Sequence, residues 1–440
     1  MSSPYRTLVD LIDSLRNANP EHGLLLIDSR GREIFYSWPA LHRKVRQHAA
    51  RLKAEGIGRG DRVIVSPTNE PEVLASFLAL FYLGAVPLSV SGIQLGQEAG
   101  TQLPFIKSLI EMSGTGGVFA QTALIAGNEQ SASIPPEMLI DYVPSSVELD
   151  EEPHSVEPAR VSEDDLALVQ FSSGSTSRPK GVRLTHRNLI SNLQILADYT
   201  RRPDEVCVSW LPLYHDMGLL GVTLASFWYP ARLQVLMHPV SFLMKPVTWL
   251  ANLSKYRARV SVCPNFALDL CTDRIPHEQL VDYQIDLSAL EQVFVGAEPV
   301  RPSSLQRFED RFGEWGFRKN VLAPVYGMAE ASLIITGPEF REEVPVKMIQ
   351  GQEIPSVGRP LGDFQLRISR EDGAEAARGE IGELWIKGSS VTEGYLDEYA
   401  NGELFSEGWL RSGDLGQIDE KGRVYITGRI KDLIVVSGKN

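Results

Sequence analysis

Apolar positions along the first 165 residues recur with two different periods. In "SWPALHRKVRQHAARLKAEGIGRGDRVIVS", Leu41, Val45, His48 and Leu52 fall at helical spacing, Ser37 stands where a helix cap is needed, and Gly56 and Gly58 end the run. A short apolar strand, "DRVIVS", follows. The cycle repeats with a helix near 70–84, a strand "AVPLSV", a helix near 102–113 and a strand "GGVFA". Such alternation predicts parallel strands joined by crossover helices. His48, in the middle of an apolar stripe, reads as a packing residue.

Residues 144–165, "PSSVELDEEPHSVEPARVSEDD", are acidic and rich in Pro and Ser, which predicts a surface linker. Beyond it "ALVQFS" and "GVRLTH" read as two strands, with a helix from about Asn188. After Pro355 the pattern shifts to short alternating runs, "FQLRIS", "GELWIKG" and "GRVYITGRI", separated by Gly, Asp and Glu. These predict a small antiparallel β lobe. At 440 residues the chain is too long for one growing core, so two or three lobes are expected.

Composition narrows the partners. A net charge of −13 argues against a nucleic-acid backbone, which needs concentrated Lys and Arg. Cys207, Cys263 and Cys271 form no CxxC pair, and an odd number of cysteines fits buried structural thiols in a reducing compartment. The N-terminal stretch has no basic leader followed by an apolar core. The longest apolar run, "VLASFLALFYLGAVPLSVS", is broken by Gly84 and Pro87, so no membrane span is expected and a cytoplasmic location is the default.

The loop between the two central strands carries the first chemistry. In "FSSGSTSRPKGVRLTHRN", Ser172, Ser173, Ser175, Thr176 and Ser177 offer hydroxyls, Gly174 and Gly181 allow close backbone approach, and Lys180 adds a positive charge. That is an anion cradle suited to a triphosphate. Its strand-loop-strand setting separates it from the Walker loop, whose lysine enters a helix.

Five further stretches follow: "LPLYHDMGLLG" (211–221), "VGAEPV" (295–300), "VYGMAEASL" (325–333), "WLRSGDLG" (409–416) and "GRIKDLIVVSGKN" (428–440). With the loop, and in this order, they resemble the adenylate-forming superfamily of acyl-CoA synthetases, adenylation domains and luciferases. The resemblance implies an α/β fold: the N-terminal domain of an adenylate-forming enzyme, with two α/β sheet subdomains and a small distorted β-barrel. It places the first subdomain at 1–185, ending with the phosphate loop, the second at 186–354, the barrel at 355–430 and a hinge at 431–440 about Asp432. A mobile C-terminal lid, which the superfamily carries after the hinge, is absent from the sequence as given.

The resemblance also implies ATP and Mg²⁺, and it assigns roles. Ser172, Ser173, Gly174, Ser175, Thr176 and Lys180 would face the phosphates, and Glu330 would ligate Mg²⁺ together with Thr176. The backbone of Gly296, Ala297, Glu298 and Pro299 would frame the base, and Tyr326, Gly327, Met328 and Ala329 would lie by the adenine and the reacting carboxylate. Asp414 would accept from the ribose hydroxyls, with Arg429 reaching the same ribose. His215 would gate the carboxylate end of an acyl tunnel lined by Trp210, Met217, Gly218 and Phe266. Ser177 stands where the family has glycine, a departure that would stiffen the loop.

Taken together, "SWLPLYHDMGLLG", "PNFALDLC", "GAEPVRPSSLQRF" and "YGMAEASL" look closest to the fatty acyl-AMP ligases. These make acyl adenylates from fatty acids and pass them to an acyl carrier protein or carrier domain. The segment "SLIITGPEFREEVPVKMIQGQEIP" is short where those ligases carry an extended insertion, which keeps open a long- or medium-chain fatty acyl-CoA synthetase that uses coenzyme A. A lidless module that binds acyl adenylates without turnover is the non-enzymatic alternative, and an amino-acid activator is a further one.

Overall fold

The computed structural model describes residues 3–90, 108–115, 117–119, 139–140, 156–171, 180–200 and 205–432. Its frame is a pair of α/β sheets. One has six strands in the order Leu139–Ile140, Gly117–Phe119, Arg62–Val65, Val86–Ser89, Leu166–Phe171, Gly181–Thr185, parallel except for the last pair. The other has seven, in the order Leu322–Pro324, Gln292–Gly296, Val260–Pro264, Val206–Ser209, Leu233–Met237, Gly23–Ile27, Glu33–Ser37, again with one antiparallel edge pair. Strands 206–209, 260–264 and 292–296 are buried on both faces, which is why they read as continuous apolar runs.

The expected helix spans Trp38–Ala54. Ser37 Oγ accepts the Ala40 N–H at 3.3 Å, and Gly56, at φ +91°, turns the chain away after the C-cap at Glu55. His48 is fully buried there, hydrogen-bonded to Ser76 Oγ at 2.8 Å and to Glu72 Oε2 at 2.9 Å, so it is a packed residue with satisfied nitrogens. Helices Pro71–Tyr82 and His186–Thr200 pack with it into one core between the two sheets. Helices Val247–Lys255, Asn265–Arg274 and Pro302–Phe312 cover the opposite face of the seven-stranded sheet and enclose a second core. The three cysteines are free and buried, and burial pushes their thiol pKa values up.

The two N-terminal strands, 23–27 and 33–37, belong to the seven-stranded sheet, not to the sheet of residues 62–185 that follows them in sequence. A boundary at 185 therefore divides chain order but not the sheets. After 355 the chain forms the antiparallel lobe: Gln365–Ser369, Gly382–Lys387, Trp409–Ile418 and Phe405–Ser406, with Val424–Arg429 also paired to 409–418. No helix among the described residues is long and apolar enough to cross a membrane.

Candidate active site

The carboxyl ends of parallel strands are where an open α/β sheet leaves a crevice. In this chain the loops after strands 206–209, 292–296 and 322–324 converge there, carrying His215, Ala297 and Tyr326 to the wall of a cavity of about 1130 Å³. Ala297 holds φ at +65°, and Gly327 is required because a Cβ would sit 1.9 Å from the Leu333 carbonyl oxygen.

Glu330 projects from a single 3-10 turn, Ala329–Ala331. Several side chains fix that turn. Asn192, fully buried on helix 186–200, donates to the carbonyls of Ala331 (3.2 Å) and Ile334 (3.0 Å) and accepts from the Ile334 N–H at 3.2 Å. Ser332, at φ +69°, donates to the Ser390 carbonyl, and the Glu330 carbonyl accepts from the Thr392 N–H at 2.8 Å. The Tyr395 hydroxyl then donates to Glu330 Oε1 at 2.6 Å. Burial and the Glu330 carboxylate push the Tyr395 pKa up, so the phenol remains a donor. The same ring lies under Lys180, with Nζ 4.9 Å from its centroid.

Lys180 stands at the end of the hairpin that joins strands 166–171 and 181–185, where Phe171 pairs with Gly181. Segment 391–396 ties this end to the Glu330 turn: the Leu396 N–H donates to the Gly181 carbonyl, and Tyr395 bridges to Val182. Opposite, Asp414 is buried on strand 409–418. Its Oδ2 accepts the Tyr326 hydroxyl at 2.6 Å and its Oδ1 accepts Arg429 Nε at 3.0 Å. Burial raises the Asp414 pKa against the pull of these two donors. Glu383 holds the adjoining turn, accepting from the Gly413 N–H at 3.1 Å and from Arg411 Nε at 3.1 Å.

Comparisons with known proteins supply the family. Residues 16–396 match the AMP-binding enzyme family. The chain belongs to that family. The 4-hydroxyphenylalkanoate adenylyltransferase of Mycobacterium marinum is 31% identical over 454 residues, 92% of this chain and 70% of the relative. The medium-chain-fatty-acid acyl-carrier-protein ligase TtuA of Teredinibacter turnerae is 35% identical over 332 residues, 67% of this chain and 51% of the relative. The fatty acyl-adenylate ligase of L. pneumophila, solved with acyl adenylate and pyrophosphate, is similar at a TM-score of 0.86 and 30% identity over 99% of this chain and 79% of that one. This AMP-binding enzyme is an acid-activating ligase with the adenylate-forming N-terminal-domain fold.

Lys180, His215, Met217, Ala297, Tyr326, Gly327, Met328, Ala329, Glu330, Arg429 and Asp432 of the AMP-binding enzyme share this one cavity. Ser172, Ser173, Gly174, Ser175, Thr176 and Ser177 lie outside the described residues. Gly296, Glu298, Pro299 and Gly218 stand back from the lining. Gly218 packs against Pro212, whose carbonyl oxygen a Cβ would approach to 2.3 Å, and Glu298 Oε1 accepts the Phe266 N–H at 2.5 Å.

Two tunnel residues are placed elsewhere. Trp210 is buried in the second core, stacked on Phe242 at 4.0 Å, and Phe266 is 42% exposed beside it. Strand parity is the reason: Trp210 continues the side of Val206 and Val208, whereas Cys207 points to the cavity. The apolar wall comes instead from Leu196, Val222, Ala225, Val260, Val262 and Phe294. Sequence reasoning also missed Asn192, Glu383 and Tyr395, whose partners lie far away along the chain.

His215 Nδ1 lies 2.7 Å from Asp216 Oδ1, with its side chain about half exposed. Partial burial disfavours the imidazolium, but the Asp216 carboxylate outweighs this and its pKa stands above the ordinary histidine value.

Proposed function

We propose that this AMP-binding enzyme is a fatty acyl-AMP ligase that uses ATP and Mg²⁺ and delivers its product to an acyl carrier protein. The observation that carries the reading is continuity. One cavity runs from Lys180 and Glu330 to an apolar limb walled by Leu196, Val222, Val262 and Phe294, so an anionic head and an alkyl body share one space. Burial of the chain contributes about 0.8 kcal/mol per methylene. Both curated relatives named above act on acids with an apolar body, and one of them is named for transfer to a carrier protein.

In this reading a carboxylate oxygen attacks the α-phosphorus of ATP, the α–β phosphoanhydride bond breaks, and pyrophosphate carries away the charge. The ammonium of Lys180 offsets the repulsion between the two anions, and His215 holds the incoming carboxylate. Glu330 offers Oε2, since Oε1 already accepts from Tyr395. A cation here would rest on Glu330 and Thr176, with substrate oxygens filling the other positions. That donor set suits Mg²⁺, which keeps few protein ligands and supplies charge neutralisation at the phosphates. Asp414, Tyr326 and Arg429 would orient the ribose.

A second reading, transfer to coenzyme A, is favoured by the compact segment after the Glu330 turn, whose strands are Ile334–Gly337 and the single hairpin Val346–Ile349 with Gln352–Pro355. Mass spectrometry of reactions with ATP, Mg²⁺ and a fatty acid, with and without coenzyme A, separates the two. Acyl-AMP that persists in the presence of coenzyme A supports the ligase. Conversion to acyl-CoA overturns it.

A further inference from the structure

Gln170 lines the cavity together with Lys180 and His215, yet it is only 3% exposed. Its backbone is held on both sides, beside Ser89 in one neighbouring strand and Val182 in the other. Strand parity sends its side chain to the face of Leu168, in the core between the sheets, while Val169 and Phe171 point the other way into a separate cluster. From that face Nε2 donates to the Tyr214 carbonyl at 2.6 Å, across 44 positions of sequence. A carbonyl oxygen takes only a donor, so the acceptor sets which way the amide faces. The bond joins the two sheets: Gln170 lies near the carboxyl end of strand 166–171, and Tyr214 lies in the turn after strand 206–209.

The turn itself shows what the bond controls. The His215 N–H donates to the Pro212 carbonyl at 3.2 Å, and the His215 carbonyl accepts from the Leu219 N–H at 2.9 Å. The Tyr214 carbonyl belongs to the same planar peptide unit as the His215 N–H, and neither of these local bonds uses it. Gln170 supplies its donor. With both ends of that unit held, the plane cannot rotate, and the Cα that carries the imidazole is fixed. Beyond Gln170 the chain passes to Phe171, which pairs with Gly181 beside Lys180. One hydrogen bond therefore ties the turn of His215 to the hairpin of Lys180. A buried amide is costly where Met or Leu would fill the same space without that cost, so what the glutamine adds is the donor.

We infer that Gln170 is a positioning residue for the acid substrate: through the Tyr214–His215 peptide it aims the His215 imidazole at the incoming carboxylate and holds it in register with the Lys180 ammonium. The inference rests on the adenylation reading above, in which His215 holds the carboxylate, and deepens it. Without the Gln170 donor the Tyr214 carbonyl loses its partner, and the turn shifts to find another, carrying His215 with it. Asp414, Tyr326 and Arg429 are bonded to one another on other strands and keep their geometry. The loss should therefore fall on the acid and spare the nucleotide.

The test is a double-mutant cycle on the intact enzyme, read as the KM for a fatty acid in acyl-AMP formation at about pH 6, where the imidazolium is present. Gln170→Met, close in length and unable to donate, should raise that KM by about tenfold, the equivalent of one hydrogen bond, and leave the KM for ATP within about twofold. His215→Gln should raise it too, and the double variant should be no worse than His215→Gln alone, because the glutamine acts through the histidine. KM is insensitive to loss of correctly folded enzyme, and Gln170→Leu repeats the cycle with a second apolar residue. An unchanged KM for the acid in Gln170→Met, an equal rise in the KM for ATP, or losses that multiply in the double variant would overturn the positioning role while adenylation stands. If His215→Gln leaves the KM for the acid unchanged, the histidine's role and this inference fall together, again with adenylation intact. If the unaltered enzyme makes no acyl-AMP, the adenylation reading falls and the inference with it.

Discussion

The hydroxyl of Tyr326 donates to Asp414 Oδ2 at 2.6 Å, joining the carboxyl edge of the seven-stranded sheet to the antiparallel lobe. The two residues are 88 positions apart, and Arg429 completes the contact from the neighbouring strand. Burial raises the pKa of both, and for Asp414 the Tyr326 hydrogen bond opposes that rise. Tyr326→Phe removes one of the two donors that keep the buried carboxylate charged. Hydrogen bonds to charged groups contribute about 1.5–3 kcal/mol. The variant should lose ~1–2 kcal/mol of stability in denaturant titration, and its KM for ATP should rise about tenfold. Unchanged ATP dependence would show that this pair has no part in holding the nucleotide.

Tyr395 couples two groups, Lys180 through its ring and Glu330 through its hydroxyl. Tyr395→Phe keeps the first contact and removes the second. It should raise the Mg²⁺ concentration needed for half-maximal rate by about tenfold and change the KM for ATP little. Tyr395→Leu loses both contacts, and both parameters should rise. Identical behaviour of the two variants, measured by pyrophosphate release across a Mg²⁺ series, would assign Tyr395 to packing alone.

His215 should make acid binding pH-dependent. Its raised pKa keeps the imidazolium, favourable to a carboxylate, present below about 6.5 and for some distance above it. As pH rises through the shifted value the charge is lost, so the KM for the fatty acid should climb on the alkaline side. His215→Gln should flatten that profile. A profile that keeps its shape in the variant would move the titration to another group.

His186 works in the opposite sense, on stability. It is buried and neutral, its Nδ1 accepting the Leu8 N–H at 3.2 Å, and burial lowers its pKa to about 4. Below about 6.5 the unfolded chain takes up the proton more readily, so stability falls as pH drops from about 6.5 towards 4. The loss amounts to roughly 3 kcal/mol at ~1.4 kcal/mol per pKa unit. His186→Gln should blunt that acid sensitivity in urea titrations between those pH values. Equal slopes in both proteins would count against it.

Local pattern carried much of this structure. The Ser37 cap, the Leu41–Leu52 stripe and the strands Leu166–Phe171 and Gly181–Thr185 are fixed by neighbours a few residues away, and they lie where period and punctuation predict. Contacts over long separations were not legible. The placement of strands 23–27 and 33–37 in the other sheet was not legible, because the pairing of Gly23–Ile27 with Leu233–Met237 spans 210 positions and leaves no local signal. The resemblance puts Trp210 in the tunnel wall. Only the side of the strand on which Val206 and Val208 sit shows that it faces the second core. Asn192 and Tyr395 are similar cases: one is a polar residue in a helix, the other an aromatic one in a loop. Their meaning comes from the Glu330 turn, roughly 140 and 65 residues away in sequence.

In the proposed function a fatty acid and ATP react in the cavity shared by Lys180 and Glu330. Isotope exchange between labelled pyrophosphate and ATP tests it most directly, because it reports reversible adenylate formation and needs no acceptor. Exchange should appear only when a fatty acid is added and should be lost in Glu330→Ala. Exchange that needs no acid, or that survives in Glu330→Ala at the rate of the unaltered enzyme, would contradict it.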